Sequence, residues 1–367
     1  MFLLLDAPNL GGAEKAKLVE CVDSTYVSTA GPFVPEFEER FARYLGTEDC
    51  VSVQSGTAAL HIALAEAGVG PGDEVIVPAL SFAASVNPVL YTGATPVLVD
   101  VDPETWTLDP GLTEAAVTSR TRAILPVHLY GNLCNMDSLG RIAEEWGLFL
   151  IEDATESLGG TWKGKPSGTL GNFGCFSFNG NKLITTGGGG MVVARDRERM
   201  NHIRFLVNQA RDASKGYFHP EMGYNYRMTN LEAALGLAQM ERIDLFLEKK
   251  RSFARIYREV LAGLPEVSFQ KELPGAQSAW WLPSFTLSGG AIPELQEKLR
   301  KKGVPTRRLF SPLHTYPYLK DFCRFSYPQA ERIFEEGINL PASTVNDEES
   351  TLRAAESIRD AVLSMRR

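Results

Sequence analysis

The sequence predicts an α/β protein, with a mainly parallel sheet between helices and a smaller α+β domain after it. Three observations carry that expectation. Short β-branched runs alternate with helical patterns from about residue 30 to 235. Strand, helix, strand at this spacing means parallel crossovers and a sheet covered on both faces. At 367 residues, the chain also exceeds what one small core needs.

The runs can be taken in order. VSV (51–53) leads into a helix from Thr57 to about Ala67, and EVIVPAL (74–80) leads into SFAASVNPVLYTG. PVLVDVD (96–102), AILPVHLYG (123–131) and LFLIED (148–153) follow, with the helix MDSLGRIAEEWG between the last two. CFSFN (175–179) and MVVAR (191–195) complete the body. The helical pattern 229–264 is longer than most globular helices and reads as a bridge between two domains. After Gly263, VSFQKE and WWLPSFTLS read as strands, and AIPELQEKLRKKG and NDEESTLRAAESIRDAVLSM as helices. The expected division is a large domain over 1–240, including an N-terminal segment (Met1 to about Ser28) at the domain junction, and a small one over 241–367.

Composition narrows the function. The apolar fraction of 44% and charged fraction of 22% are those of a globular protein. A net charge of −8 argues against a nucleic-acid partner, which needs a basic excess or stripe. The basic runs Lys249-Lys250-Arg251 and Arg300-Lys301-Lys302 fall in helical patterns and read as solvated faces. Five cysteines, none in CxxC spacing and with no signal peptide, point to reduced thiols in the cytoplasm. No stretch has the roughly 20 apolar residues a membrane span needs, and no metal site is expected.

Ligands of open α/β sheets sit beyond the carboxyl ends of the strands. Five such places carry polar or aromatic residues: Ser55-Gly56-Thr57, Phe82, His128, Asp153, and the stretch from Ser177 through Asn179 to Lys182. A strand-to-helix turn at Gly56 and Thr57 offers backbone N–H groups and a helix dipole to an anion such as a phosphate ester. Phe82, at the next turn, can stack on an aromatic ring. Asp153 and Lys182 are the pair that pyridoxal phosphate (PLP) chemistry requires. The amine condenses with the cofactor aldehyde, and the carboxylate keeps the pyridine nitrogen protonated. Taken alone, each has a plain reading: Asp153 as a helix cap, Lys182 as a surface lysine. The Gly187–Gly190 run lacks a following Gly-Lys-Ser/Thr and is no Walker motif; it reads as a turn packed close to a cofactor or partner.

VQSGTAALHIAL, PGDEVIVPALSF, IEDATESLG, CFSFNGNKLITTGGGGMVV, GYNYRMTNLEAALGLAQME, SPLHTYPYL and GINLPAS together resemble the DegT/DnrJ/EryC1/StrS sugar aminotransferases, in order from about Pro8 to Ser343. The resemblance implies the PLP-dependent transferase type I fold, with a seven-stranded sheet. It implies Lys182 as Schiff-base lysine, Asp153 as pyridinium partner, and Ser177 with the Gly56-Thr57 turn at the phosphate. Phe82 would stack on the ring, and Glu156 falls beside the cofactor hydroxyl, where most members carry His or Gln. Asn225 matches a residue that reaches the phosphate from the neighbouring subunit, which implies a homodimer with composite sites. His314, Arg307 and Arg308 fall in the segment lining the sugar-nucleotide site, although TRRLFSPLH replaces the usual TRP-x-x-x-PLH. SFNGNK…TTGGGG, DPETWTLDP and PVHLYG look most like the LegC-type branch, which aminates a UDP-linked 4-keto-6-deoxy sugar towards nonulosonic acids. The perosamine synthases and PglE-type enzymes are close behind. The implied partners are a nucleotide sugar and glutamate, and the implied purpose is surface polysaccharide or nonulosonic acid synthesis. Rival readings are a dTDP-3-keto-sugar aminotransferase, a sugar dehydratase (which would carry His in place of Lys182), a PLP enzyme of amino-acid metabolism, and a regulatory protein that kept the fold.

Overall fold

The computed structural model describes residues 3–366. Seven strands form the large sheet: β1 (Val51–Val53), β2 (Glu74–Pro78), β3 (Thr95–Val99), β4 (Thr121–Ile124), β5 (Phe149–Asp153), β6 (Phe173–Ser177) and β7 (Gly190–Ala194). Their order is β1-β7-β6-β5-β4-β2-β3. All run parallel except β7, which is antiparallel to both of its neighbours. Most of these strand residues are buried, as helices on both faces require. The parallel direction brings the carboxyl ends of β1, β2, β4, β5 and β6 to one edge, and the chain leaves each strand there for a turn.

A second sheet is formed by β8 (Val267–Phe269), β9 (Ser284–Leu287), β10 (Arg307–Arg308) and β11 (Gly337–Asn339), in the order β8-β9-β11-β10, antiparallel throughout. A three-stranded ribbon pairs the hairpin Thr161–Trp162/Lys165–Pro166 with Ala276–Gln277. Its strands are two residues each, too short to show alternation in sequence. The N-terminal segment is tied to the far end of the chain. Leu4 exchanges hydrogen bonds with the Asn346 side chain, and the Leu5 carbonyl accepts from Ala342 N at 2.6 Å. Met1 and Phe2 of that segment lie outside the described residues.

Two expectations need correction. The long helix over 229–264 is two helices, Asn230–Met240 and Ile243–Leu261. Each half packs on a different partner: the first against the helices Glu14–Asp23 and Phe33–Leu45, the second against Glu348–Leu363. One straight rod cannot serve both. Gly236 fixes the first contact, since a Cβ there would lie 2.6 Å from the Phe37 ring. The second correction concerns the basic run 249–251, which is no solvated face. Lys250 is 3% exposed and donates to the Trp281 carbonyl at 2.8 Å. Lys249 donates to the Thr344 carbonyl, and Arg251 to those of Gly159 and Ser278. These heads satisfy backbone acceptors in loops that lack ladder partners. The run Arg300-Lys301-Lys302 is exposed.

All five cysteines are free; Cys21, Cys50, Cys134 and Cys175 are buried, and Cys323 is exposed. Among the described residues no helix is long and apolar enough to cross a membrane, and no cluster of His, Cys, Asp and Glu could hold a metal ion.

Candidate active site

A cavity of about 380 Å³ opens at the carboxyl edge of the large sheet. Ser55, Gly56 and Thr57 from the end of β1, Phe82 from β2, Asp153 and Glu156 from β5, and Ser177, Asn179 and Lys182 from β6 all line it. The topology thus gathers residues scattered over more than a hundred positions.

The first wall is a helix N-terminus. Ser55 caps the helix Gly56–Glu66, its Oγ accepting from Ala58 N at 3.0 Å. At Gly56 a Cβ would fall 2.8 Å from Ser177 Cβ and 3.0 Å from Thr155 Cγ2. Only a glycine lets the turn and the β6 terminus approach this closely. The Gly187–Gly190 turn closes the same wall. Gly187 and Gly189 have φ of 87° and 81°, and Gly189 donates its N–H to the Gln54 carbonyl and accepts from Phe178 N. Gly188 and Gly189 line the cavity.

The floor is acidic. Adjacent residues of a strand point to opposite faces, and β5 uses both. Asp153 faces the cavity and is 2% exposed. Its Oδ2 accepts from Ser85 Oγ at 2.6 Å; its Oδ1 accepts from Thr155 Oγ1 at 2.6 Å and Thr155 N at 3.2 Å. These bonds fix the carboxylate in one orientation. Glu152 points away, accepting from the backbone N–H groups of Gly168, Leu170 and Gly171 and pairing with His128 Nε2 at 2.9 Å. His128, a candidate from its strand-end position, therefore serves the back of the sheet; its Nδ1 accepts from Cys134 N. Val127 takes the place on the cavity wall.

Lys182 stands across from this floor, its side chain 13% exposed. Its Nζ lies 3.6 Å from Glu156 Oε1 and 3.9 Å from the centroid of the Trp281 ring. Trp281 is held by two bonds, its Nε1 donating to the Asn181 carbonyl at 2.7 Å and its own carbonyl accepting from Lys250. Burial pushes the Lys250 ammonium down to about 7. Glu156 Oε2 accepts from Tyr130 N at 2.7 Å. Burial pushes the Glu156 carboxyl up to about 7, against the opposing pull of Lys182. Tyr130 has a left-handed φ of 56°, a strained conformation for a bulky residue. The next residue, Gly131, has no room for a side chain: a Cβ would lie 2.8 Å from both Trp280 N and Trp281 N. The crossing of 130–131 with 279–282 thus aims Trp281 and Glu156 together at Lys182.

Phe82 is 54% exposed and packs against Phe310 with ring centroids 5.4 Å apart. Arg307 reaches the cavity, and its guanidinium donates to Asp6 Oδ2 at 2.8 Å. Asp6 Oδ2 also accepts from Asn181 Nδ2 at 3.1 Å, so the N-terminal segment holds two cavity residues. Besides His128, three expected residues are not gathered in. Arg308, next along a strand, turns to the opposite face; it donates to the Phe334 carbonyl and stacks on that ring. His314 lies in a separate groove, with Nε2 3.0 Å from Glu331 Oε1 and its ring stacked on Tyr327. Asn225 is exposed, bridges to Asn208, and does not line the cavity of its own chain.

Sequence reasoning missed Ser85, Thr155, Asn181, Trp281, Phe310 and Asp6. Thr155 carried a signal, because Asp-x-Thr after a strand is an Asx-turn pattern. Trp281 and Asp6 carried none, since only the fold brings them near Lys182.

The sequence matches the DegT/DnrJ/EryC1/StrS aminotransferase family across residues 8–359. It is 42% identical to the GDP-perosamine synthase of Caulobacter vibrioides, over 91% of each chain. It is 41% identical to that of Escherichia coli O157:H7, over 96% of each. Its fold follows that of the Streptococcus pneumoniae protein Spr1654, solved in a PLP form, with a TM-score of 0.92 over 99% of both chains at 29% identity. The chain belongs to the DegT/DnrJ/EryC1/StrS aminotransferase family and is a sugar aminotransferase that works with pyridoxal phosphate.

Proposed function

We propose that the chain transfers an amino group from glutamate to the keto carbon of a nucleotide-linked 4-keto-6-deoxy sugar, with GDP ahead of UDP as the nucleotide. The observation that carries the transfer is the convergence of Lys182 and Asp153 across one cavity at the carboxyl edge of the sheet. The perosamine synthase relatives are named for a GDP-linked product. They favour that reading over the LegC-type, UDP-linked one.

The residues present fit pyridoxal phosphate. The cavity combines a lysine amine, an oriented carboxylate, a helix N-terminus with a glycine cradle, and an aromatic side chain at its mouth. Lys182 would carry the cofactor, Asp153 would face the ring nitrogen, and Phe82 would lie on the ring. Ser55 to Thr57, Ser177 and Asn179 would hold the phosphate through hydroxyl, amide and N–H donors. When bound, pyridoxal phosphate supplies an aldehyde to the amine and a ring that withdraws electrons from the reacting carbon. Trp281 covers one side of Lys182 and shields that side of the amine from water. Arg307 presents a cation to the anionic substrate.

Asn225 stands outside its own cavity on the segment leading into the helix Asn230–Met240. We assign it to the cofactor phosphate of a partner subunit, in a homodimer with two identical composite sites. The substrate reading is tested with a panel of GDP-, UDP- and dTDP-linked keto sugars and glutamate as donor, followed by mass spectrometry of the aminated product. The GDP-linked 4-keto sugar is expected to be the best substrate by kcat/KM. A tenfold or greater preference for a UDP or dTDP sugar overturns the nucleotide assignment. Product aminated at C3 overturns the ring position.

A further inference from the structure

We propose that Glu156 and Lys182 share one proton, Glu156 taking it from the lysine ammonium whenever the amine must be neutral and returning it afterwards. The inference rests on the reading of Lys182 as the reacting amine and concerns how that amine is kept ready.

The geometry sets the two oxygens of Glu156 to different tasks. One of its oxygens is committed to the Tyr130 N–H, in a backbone conformation fixed by the crossing with 279–282. The other faces Lys182 Nζ at 3.6 Å, a gap that a small side-chain rotation closes. Both groups are nearly out of water, so a proton leaving Lys182 has Glu156 as its near acceptor. The exchange balances within the pair: Lys182 ammonium plus Glu156 carboxylate gives the neutral amine plus the carboxylic acid. It also replaces two largely buried charges by none, which burial favours.

The other charged and titratable groups around Glu156 set its sense. Asp153 lies one turn back and opposes the carboxylate form, Lys182 supports it, and the Tyr130 N–H hydrogen bond supports it. When Lys182 loses its charge, the main support for the carboxylate goes with it, and Glu156 binds the proton more tightly. Asp153 differs because its two oxygens already accept three hydrogen bonds. Two carboxyl groups three residues apart thus have different environments and different tasks, the pattern by which acid–base roles separate.

The substitution Glu156→Gln tests this, because an amide oxygen still accepts from Tyr130 N but cannot take a proton. The glutamate half-reaction of the wild type is expected to rise through an acidic limb near pH 7 and then level. In Glu156→Gln that limb is expected to vanish, with a rate loss of about 10- to 100-fold at its plateau. The second readout needs no cofactor. In cofactor-free enzyme, infrared difference spectra should show one protonated carboxyl that titrates near pH 7, is absent in Glu156→Gln, and persists to higher pH in Lys182→Ala. Persistence of the acidic limb in Glu156→Gln, or an unshifted carboxyl titration in Lys182→Ala, overturns the proposal. If Glu156→Gln fails to fold, the wild-type and Lys182→Ala spectra still decide it. An active Lys182→Ala enzyme would instead overturn the reading of Lys182 and is scored separately.

Discussion

The cavity at the sheet edge and the groove beside His314 are both concave, yet they are assembled in opposite ways. The cavity takes residues from Ser55 to Phe310, delivered by five strand ends and a backbone crossing. The groove is lined by one local stretch between His314 and Glu331. In the cavity, the Lys182 amine stands 3.6 Å from Glu156 and over the Trp281 ring, facing open space. In the groove, His314 is already engaged by Glu331 and Tyr327. Chemistry needs groups held near one another without using each other up. A parallel sheet provides that by aiming separate turns at one point, whereas the groove's histidine is already paired with a carboxylate of its own stretch.

The sharpest way to break this contrast is to remove the amine. Lys182→Ala is expected to abolish turnover and the visible absorbance of the lysine-bound cofactor, with thermal unfolding close to wild type. The same variant probes the proposed composite site. When inactive Lys182→Ala and Asn225→Ala subunits are allowed to exchange, some activity is expected to return, since one site of a mixed dimer has both residues intact. Demonstrated exchange without any recovery would remove Asn225 from the partner's site.

A smaller effect is expected at Asp153. Asp153→Asn should retain cofactor but lose about 100-fold or more in single-turnover rate, roughly 3 kcal/mol of barrier, because an amide cannot hold the ring nitrogen protonated. An unchanged single-turnover rate, with only weaker cofactor binding, would contradict it.

The smallest effects separate cavity from groove directly. Arg307→Ala is expected to raise KM for the sugar nucleotide about 10-fold, near 1.4 kcal/mol. His314→Gln should change it less than about threefold, as expected for a side chain outside the reacting space. A larger loss at His314 than at Arg307 would mean that the groove, rather than the cavity wall, receives the nucleotide.

Much of the cavity is legible along the chain because strand-end residues announce themselves. An apolar run followed by Ser-Gly-Thr, by Phe, or by Asp says where the sheet edge is and what stands on it. Lys182 was readable for the same reason, a few residues past β6. What could not be read was every contact made between distant turns. Trp281 lies in an apolar stretch that any core strand might have, and Asp6 is a single acid near the start of the chain. Neither shows its position until the small sheet and the N-terminal segment dock. Arg307 and Arg308 show the finest limit. They are neighbours of one type, and only the alternation of β10 decides which faces the cavity. The broken helix near Met240 was hidden too, because no Gly or Pro marks the break; two different packing partners make it.

The distribution of thiols has a practical consequence. Four of the five cysteines are sealed in the interior, while Cys323 sits on the rim of the His314 groove. A maleimide dye therefore has one address on the folded chain, beside the groove and off the reaction cavity. Its emission would report on anything that settles in that groove, in an unmodified sequence, while the catalytic residues remain free of the label.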